Sequence, residues 1–188
     1  MFQKKETSNQ EDAARTPEEM RAAHAKRNRN AILFISVVSI INLLLALIDS
    51  DSVMLFAPGV PYYVTRLAQA IENDFVNGHW DNGPMTMTAC VISVLLTAPY
   101  FVSALLCKKS PVWALTAAIL MVVDTLGLVV IGYLFMDSML TMAMDFVMHA
   151  VMLLFLFAGW KEQKKYYDMA GESRQDPSVL RTADPEVF

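Results

Sequence analysis

The sequence predicts an all-α, polytopic membrane protein: an antiparallel four-transmembrane-helix bundle with an extracellular amphipathic helix. The first observation is composition, since 55% of the 188 residues are hydrophobic and only 18% are charged. The second is the crowding of charges into the two ends of the chain and a few short junctions, which leaves four apolar stretches. A helix needs about 20 apolar residues to cross a membrane core of about 30 Å. The four predicted spans cover residues 31–48, 85–107, 112–136 and 139–160.

The basic residues set the predicted orientation. Fourteen of the 15 Lys and Arg residues lie before the first span, between the second and third, or after the fourth, and only Arg66 lies elsewhere. By the positive-inside rule, both termini are predicted to be cytoplasmic. The chain therefore divides into a charged cytoplasmic tail (1–30), a transmembrane domain (31–160) with an outer segment (49–84), and a cytoplasmic C-terminal tail (161–188).

The N-terminal tail contains a helix start. Thr16 stands at a predicted N-cap, Pro17 at the first helical position and Glu19 three residues after the cap, which together form a capping box. A helix is predicted from there to Asn30 and into the first span. Because the charged leader is much longer than that of a secretory signal, the first span is predicted to be an uncleaved anchor.

The outer segment predicts an amphipathic helix after a turn at Pro58-Gly59. Apolar residues recur at three- and four-residue spacing, and polar residues occupy the other face. The apolar stripe consists of Val64, Leu67, Ala68, Ile71 and Phe75, and the polar face of Arg66, Gln69, Glu72 and Asn73. We expect this helix to lie along the outer membrane surface or to cap the bundle, as a connector rather than a lid.

Three ionisable residues, Asp124, Asp145 and His149, lie inside the third and fourth spans. Placing one such charge in the bilayer core costs about 2.5 to 3.5 kcal/mol on insertion scales. Asp124 and His149 stand near the middle of their spans, and only Asp137 and Ser138 separate the spans, which must be antiparallel neighbours. Asp145 and His149 are four residues apart and share a helix face. The three side chains are therefore predicted to converge inside the bundle.

Asn42, the strongly polar residue of the first span, completes the predicted intramembrane polar cluster. The favoured interpretation is a structural network in which His149 pairs with one or both aspartates. Three alternatives stay open: a proton or ion relay, a divalent metal site with Asp124, Asp145 and His149 as candidate ligands, one short of the usual four for zinc, and hydrolytic or transfer catalysis. No HExxH, GxSxG, Walker A or CxxC motif supports catalysis. The sequence therefore assigns no catalytic residue and no cofactor.

A family resemblance rests on three stretches in a fixed order. They are Asp49-Ser50-Asp51 followed by Leu55-Phe56 and Pro61-Tyr62-Tyr63, then Lys108 to Trp113 leading to Asp124-Thr125, then Asp145 to His149 leading to Gly159. In these stretches the chain resembles a family of small four-span integral membrane proteins of Gram-positive bacteria. The resemblance implies a bacterial plasma membrane protein with the Asp124 and Asp145/His149 pattern as a family trait, and it implies no activity. The long charged N-terminal tail is an addition to that pattern.

The predicted function is that of a non-enzymatic, multi-pass plasma membrane protein. It would act as an interaction or transport-accessory component, with the buried Asp/His cluster as its polar core. The alternative is a membrane-embedded protein that handles a metal ion or protons through Asp124, Asp145 and His149. The expected partners are the lipid bilayer and a membrane protein or a second copy of the chain, and no nucleic acid is expected.

Overall fold

The structure, a computed structural model, describes residues 16–48, 57–75, 83–135 and 142–175. Within these ranges every regular element is helical. The helices are α1 (Pro17–Leu47), α2 (Val60–Phe75), α3 (Pro84–Leu106), α4 (Val112–Phe135) and α5 (Ala143–Gln175). All of them except α2 are long and apolar enough to cross a membrane. The predicted all-α fold is confirmed, and the chain is a multi-pass membrane protein.

The four long helices form a bundle in which α1 and α4 each pack against both α3 and α5. We call the end that carries Arg27, Lys108 and Lys161 the basic end, and the opposite end the far end. α2 packs against α1, α3 and α4. The far half of the bundle therefore contains a fifth helix that the basic half lacks among the described residues.

The predicted helix start at Thr16 is confirmed. The Thr16 hydroxyl accepts a hydrogen bond from the Glu19 N–H at 3.3 Å, and the Glu19 carboxylate accepts one from the Thr16 N–H at 2.8 Å. α1 then continues without a break through the first span. At the other junction, α5 is described from Ala143. The predicted start of the fourth span at residue 139 and the predicted turn at Asp137 and Ser138 lie outside the described residues.

The basic half has an apolar core to which all four long helices contribute. Small alanines of α3 and α4 let the helices approach closely, as is common in membrane bundles. The buried members are Ile32, Ile35, Tyr100, Ala104, Cys107, Ala114, Ala117, Ala118, Met121, Met152 and Leu156. Beside this core, an amide layer closes the basic end: Asn28 Nδ2 donates to Gly159 O and to Gln163 Oε1, both at 2.8 Å. Gln163 Nε2 in turn donates to Cys107 O at 2.8 Å, which links α1, α5 and α3.

Beyond this layer, α1 and α5 continue side by side past the end of α3. The His24 ring stacks on Tyr166 with a centroid distance of 4.8 Å, and Arg27 forms an ion pair with Glu162. One turn further, the Arg21 guanidinium lies 4.5 Å from the centre of the Tyr167 ring. The two long helices therefore form a paired extension of the bundle at its basic end.

Candidate functional site

α2 begins in the middle of the bundle. Asp124 is the thirteenth of the 24 residues of α4, and its carboxylate binds Gly59, directly before α2, at 2.8 Å. Gln69, ten residues further along, donates Nε2–H to Ala46 O at the far end of α1, at 2.8 Å. At 1.5 Å per residue, α2 therefore advances about 15 Å between these two contacts. Because it starts halfway along α4 and ends at the far end of the bundle, we call α2 the re-entrant helix.

Of the two positions expected for α2, along the outer surface or as a cap on the bundle, the structure contradicts the first, because α2 packs against α1, α3 and α4. Thr65, Gln69 and Glu72 are buried, whereas Val64 and Leu67 of the apolar stripe are only half-buried. Lipid is as apolar as a leucine side chain, so apolar residues gain little by leaving lipid for the protein interior. Polar side chains gain hydrogen bonds there instead. Hydrophobic periodicity therefore does not identify the inward face of this helix.

The Asp124 carboxylate caps the N-terminus of α2. The Gly59 N–H donates to Oδ2 at 2.8 Å and the Val60 N–H donates to Oδ1 at 3.1 Å. The Gly59 carbonyl accepts from the Tyr63 N–H at 3.0 Å, which makes Gly59 the N-cap residue. Because Pro58 and Gly59 have no side chain that can cap a helix, the cap comes from α4. It satisfies N–H groups that have no partner within the helix and places negative charge at the positive end of the helix dipole.

His149 supplies the counter-charge to Asp124. Its Nε2 lies 2.8 Å from Asp124 Oδ2, and its Nδ1 lies 2.7 Å from the Asp145 backbone carbonyl, one turn earlier. A carbonyl only accepts, so Nδ1 carries a proton. The Asp124 carboxylate accepts the two backbone N–H groups as well, so its Oδ2 contacts both the Gly59 N–H and His149 Nε2. His149 and Asp124 thus form a buried ion pair whose side chains are only 3% and 7% exposed.

Asp145 joins this site in another way than the sequence predicts. Its carboxylate accepts a hydrogen bond from the Tyr63 hydroxyl at 2.6 Å, while its backbone carbonyl orients His149. Asp145 therefore links α5 to α2. Asn42, the fourth residue of the predicted cluster, is buried in α1, whereas the groups described above that hold Asp124 come from α2 and α5.

Glycines allow the close approach of α2 and α4 that the cap needs. A Cβ added at Gly127 would lie 2.6 Å from Val60 Cγ2, and one added at Gly59 would lie 2.8 Å from the δ carbons of Leu128. Sequence reasoning did not select Gly59, Gly127 or Tyr63 as site residues. One signal was present, because the α2 start has no Ser, Thr, Asp or Asn to cap it.

A second carboxylate caps α3 at the far end. Glu72 of α2 accepts from the N–H groups of Met85 and Thr86, at 3.2 and 3.0 Å, and from the Thr86 hydroxyl at 2.7 Å. The N-cap residue of α3 is Gly83, which offers no side chain for the purpose. The hydrogen bond from the Thr86 hydroxyl, together with those from backbone N–H groups, outweighs burial and lowers the pKa of Glu72 below its ordinary value of 4.5.

The three candidate metal ligands do not surround one point. Within the described ranges, no group of three or more His, Cys, Asp or Glu side chains is arranged to hold a metal ion. Comparisons of the chain with protein-family models, with curated proteins and with solved structures found no match. The chemistry that the geometry does offer is a buried charge pair that fixes the start of a re-entrant helix.

Proposed function

We propose that the chain is a non-enzymatic membrane component of the interaction or transport-accessory type, and that α2 is its working element. The observation that carries the proposal is the double cap: the Asp124 carboxylate accepts both the Gly59 and the Val60 N–H at mid-depth. Non-helical backbone at this depth occurs only where it is buried in protein or lines a cavity. Half-membrane helices that start there are typical of transport proteins. Here a single charge pair controls whether α2 stays inserted.

Thiol accessibility in membrane fragments tests whether the Asp124–His149 pair holds α2 in place. Cys90 and Cys107 are replaced by alanine for this experiment. A cysteine at the buried Ala57 should resist an impermeant thiol reagent in the otherwise native chain and react in the Asp124→Asn background. A cysteine at the exposed Ala70 should react equally in both. If Asp124→Asn left the reactivity at position 57 unchanged, the pair would not hold α2 in the membrane.

The interaction role is tested with a photocrosslinking amino acid at the exposed Ala70 of α2, in cells that make the protein naturally. We expect a discrete adduct with another membrane protein or a second copy of the chain, and its loss in the Asp124→Asn background. The same group at Leu126, an exposed position on the spanning helix α4, is the control. Equal adducts from both positions, or none from Ala70, would contradict an interaction through α2.

For location, we propose a bacterial plasma membrane with the basic end in the cytoplasm. The support is the concentration of Lys and Arg at that end, together with the family resemblance. In intact cells, a cysteine at Ala70 should react with an impermeant reagent, and a cysteine at Gly171 in the α5 extension should not. The reverse pattern would place the basic end outside.

Proton handling is a second candidate, favoured by the way the pair shares its proton. His149 Nε2 lies 2.8 Å from Asp124 Oδ2, so a proton can pass between the two side chains without a change in the net charge of the pair. In α3, the buried Tyr100 hydroxyl has no hydrogen-bond partner among the described residues. Vesicles that contain the protein and a pH-sensitive dye decide between proton handling and the interaction role. Proton flux that disappears in His149→Ala supports this candidate, whereas proton-tight vesicles contradict it.

A further inference from the structure

A cavity with a volume of about 460 Å³ lies at the basic end, between α1 and the junction of α3 with α4. Its lining consists of Glu18, Arg21, Ala22, Ala25, Lys26 and Lys108. Three of these residues are basic and one is acidic, so the cavity has a formal charge of +2. A cavity with this charge favours an anionic ligand over a cationic one.

The cavity lies at the level of the amide layer. Lys108 follows Cys107, whose carbonyl accepts from Gln163, and Gln163 also binds Asn28, two residues from Lys26. At this level α3 has ended and α4 has not yet begun. The cavity therefore lies where the apolar spans end, at the height of the lipid headgroups.

The cations of the cavity differ from the other basic residues nearby. Arg27, next to Lys26, is neutralised by Glu162 of α5. Arg21 has its guanidinium positioned over the Tyr167 ring, so this cation is held in place beside the cavity. Lys26 and Lys108 come from two different elements and are both exposed. The cavity is therefore lined by one cation that a ring contact holds in place, Arg21, and by two exposed lysines, Lys26 and Lys108.

We propose that this cavity binds the phosphate group of an anionic phospholipid in the leaflet at the basic end. Basic pockets between membrane helices at this level bind the headgroups of such lipids, because their phosphate is at the same height and of opposite charge. The proposal concerns a lipid rather than a soluble phosphate, and it does not depend on the role of α2. Lys26, Lys108 and Arg21 are the groups that would contact the phosphate.

The test uses the full-length chain in micelles of an uncharged detergent. Native mass spectrometry compares phosphatidylglycerol with phosphatidylcholine of the same acyl chains. We expect the unmodified chain to retain one phosphatidylglycerol molecule in preference to phosphatidylcholine. Lys26→Gln and Lys108→Gln should each weaken phosphatidylglycerol binding about fivefold, in line with the usual contribution of one basic residue at a membrane surface. Lys109→Gln, next to Lys108 but outside the cavity lining, should leave binding unchanged.

Charge-preserving variants separate loss of the site from loss of the fold. Lys108→Arg should bind phosphatidylglycerol as the unmodified chain does, and each lipid-free variant should keep its thermal midpoint. Equal retention of the two lipids, or an equal loss in Lys109→Gln and Lys108→Gln, would overturn the proposal. Displacement of the lipid by inorganic phosphate, but not by chloride at the same ionic strength, would assign the cavity to a soluble phosphate and would also overturn it.

Discussion

Asp124 and Glu72 make the same kind of contact at two depths of the molecule. Each carboxylate accepts backbone N–H groups at the start of a helix that has no capping side chain of its own. At mid-depth, Asp124 is paired with His149. At the far end, Glu72 accepts from the hydroxyl of Thr86. The comparison teaches that neutral donors are enough for the capping carboxylate at the far end of the bundle. The capping carboxylate in the middle of the bundle needs a counter-charge as well.

The largest expected effect comes from neutralising the deeper carboxylate. Asp124→Asn replaces one acceptor oxygen by an amide that faces N–H groups, and it leaves His149 without its partner. Breaking a buried charge pair in this way costs about 3 to 5 kcal/mol. Reversible unfolding in mixed micelles measures this loss. Glu72→Gln should destabilise the protein less, since no opposite charge is left unpaired, and an equal or greater loss would remove the contrast between the two depths.

The next effect concerns the close approach of α2 and α4 that the Asp124 cap requires. Gly127→Ala places a methyl group against Val60, and overpacking of this kind costs about 1 to 3 kcal/mol. Gly171→Ala is the matched control, because nothing lies within 4 Å of an added Cβ there. At that helical position alanine should stabilise by about 0.5 to 1 kcal/mol. If both changes raised the thermal midpoint, α2 and α4 would not be in close contact at the cap.

A smaller effect is expected between the two caps, where Gln69 attaches α2 to the far end of α1. Gln69→Ala removes the donor to the Ala46 carbonyl, and hydrogen bonds between membrane helices contribute about 1 kcal/mol each. Ala70→Ser, on the exposed neighbour, should be nearly neutral. Thermal midpoints in detergent compare the two variants. Equal tolerance would contradict the buried position of Gln69.

The smallest effect is the pH dependence of the cap that Glu72 forms at the start of α3. The pKa of Glu72 is lowered in the folded protein, so the ionised carboxylate stabilises the fold above its unfolded pKa. That contribution is lost as the pH falls below 4.5 and passes through the folded pKa. The difference in unfolding free energy between the unmodified chain and Glu72→Gln should therefore shrink between about pH 6 and about pH 3. A difference that stays constant over this range would mean that the Glu72 charge does not contribute to the cap.

Much of the fold could be predicted because its signals are local. Four apolar stretches of sufficient length have few alternatives to spanning helices, and the Thr16–Glu19 capping box lies within four residues. The position of α2 could not be predicted in the same way. In lipid, the direction of an apolar stripe does not point to the protein interior, and the buried face of α2 is held by Thr65, Gln69 and Glu72, whose partners are distant in sequence.

The candidate site shows the same division. Depth and antiparallel neighbours predict that Asp124 meets His149, because both properties follow from counting along two adjacent spans. The cap on α2 could not be predicted from side-chain chemistry, because Gly59 and Val60 contribute backbone N–H groups. The contact of the Tyr63 hydroxyl with Asp145 could not be predicted either, because it joins side chains 82 residues apart in the sequence.

The central claim is that Asp124 and His149 act as one unit that holds α2 at mid-depth, and a double-mutant cycle tests it most directly. Unfolding free energies in mixed micelles are measured for the unmodified chain, Asp124→Asn, His149→Ala and the double variant. Residues in direct contact show coupling energies of about 0.5 to 3 kcal/mol. The account predicts that the double change costs less than the sum of the two single changes by an amount in this range. Strictly additive losses would contradict it.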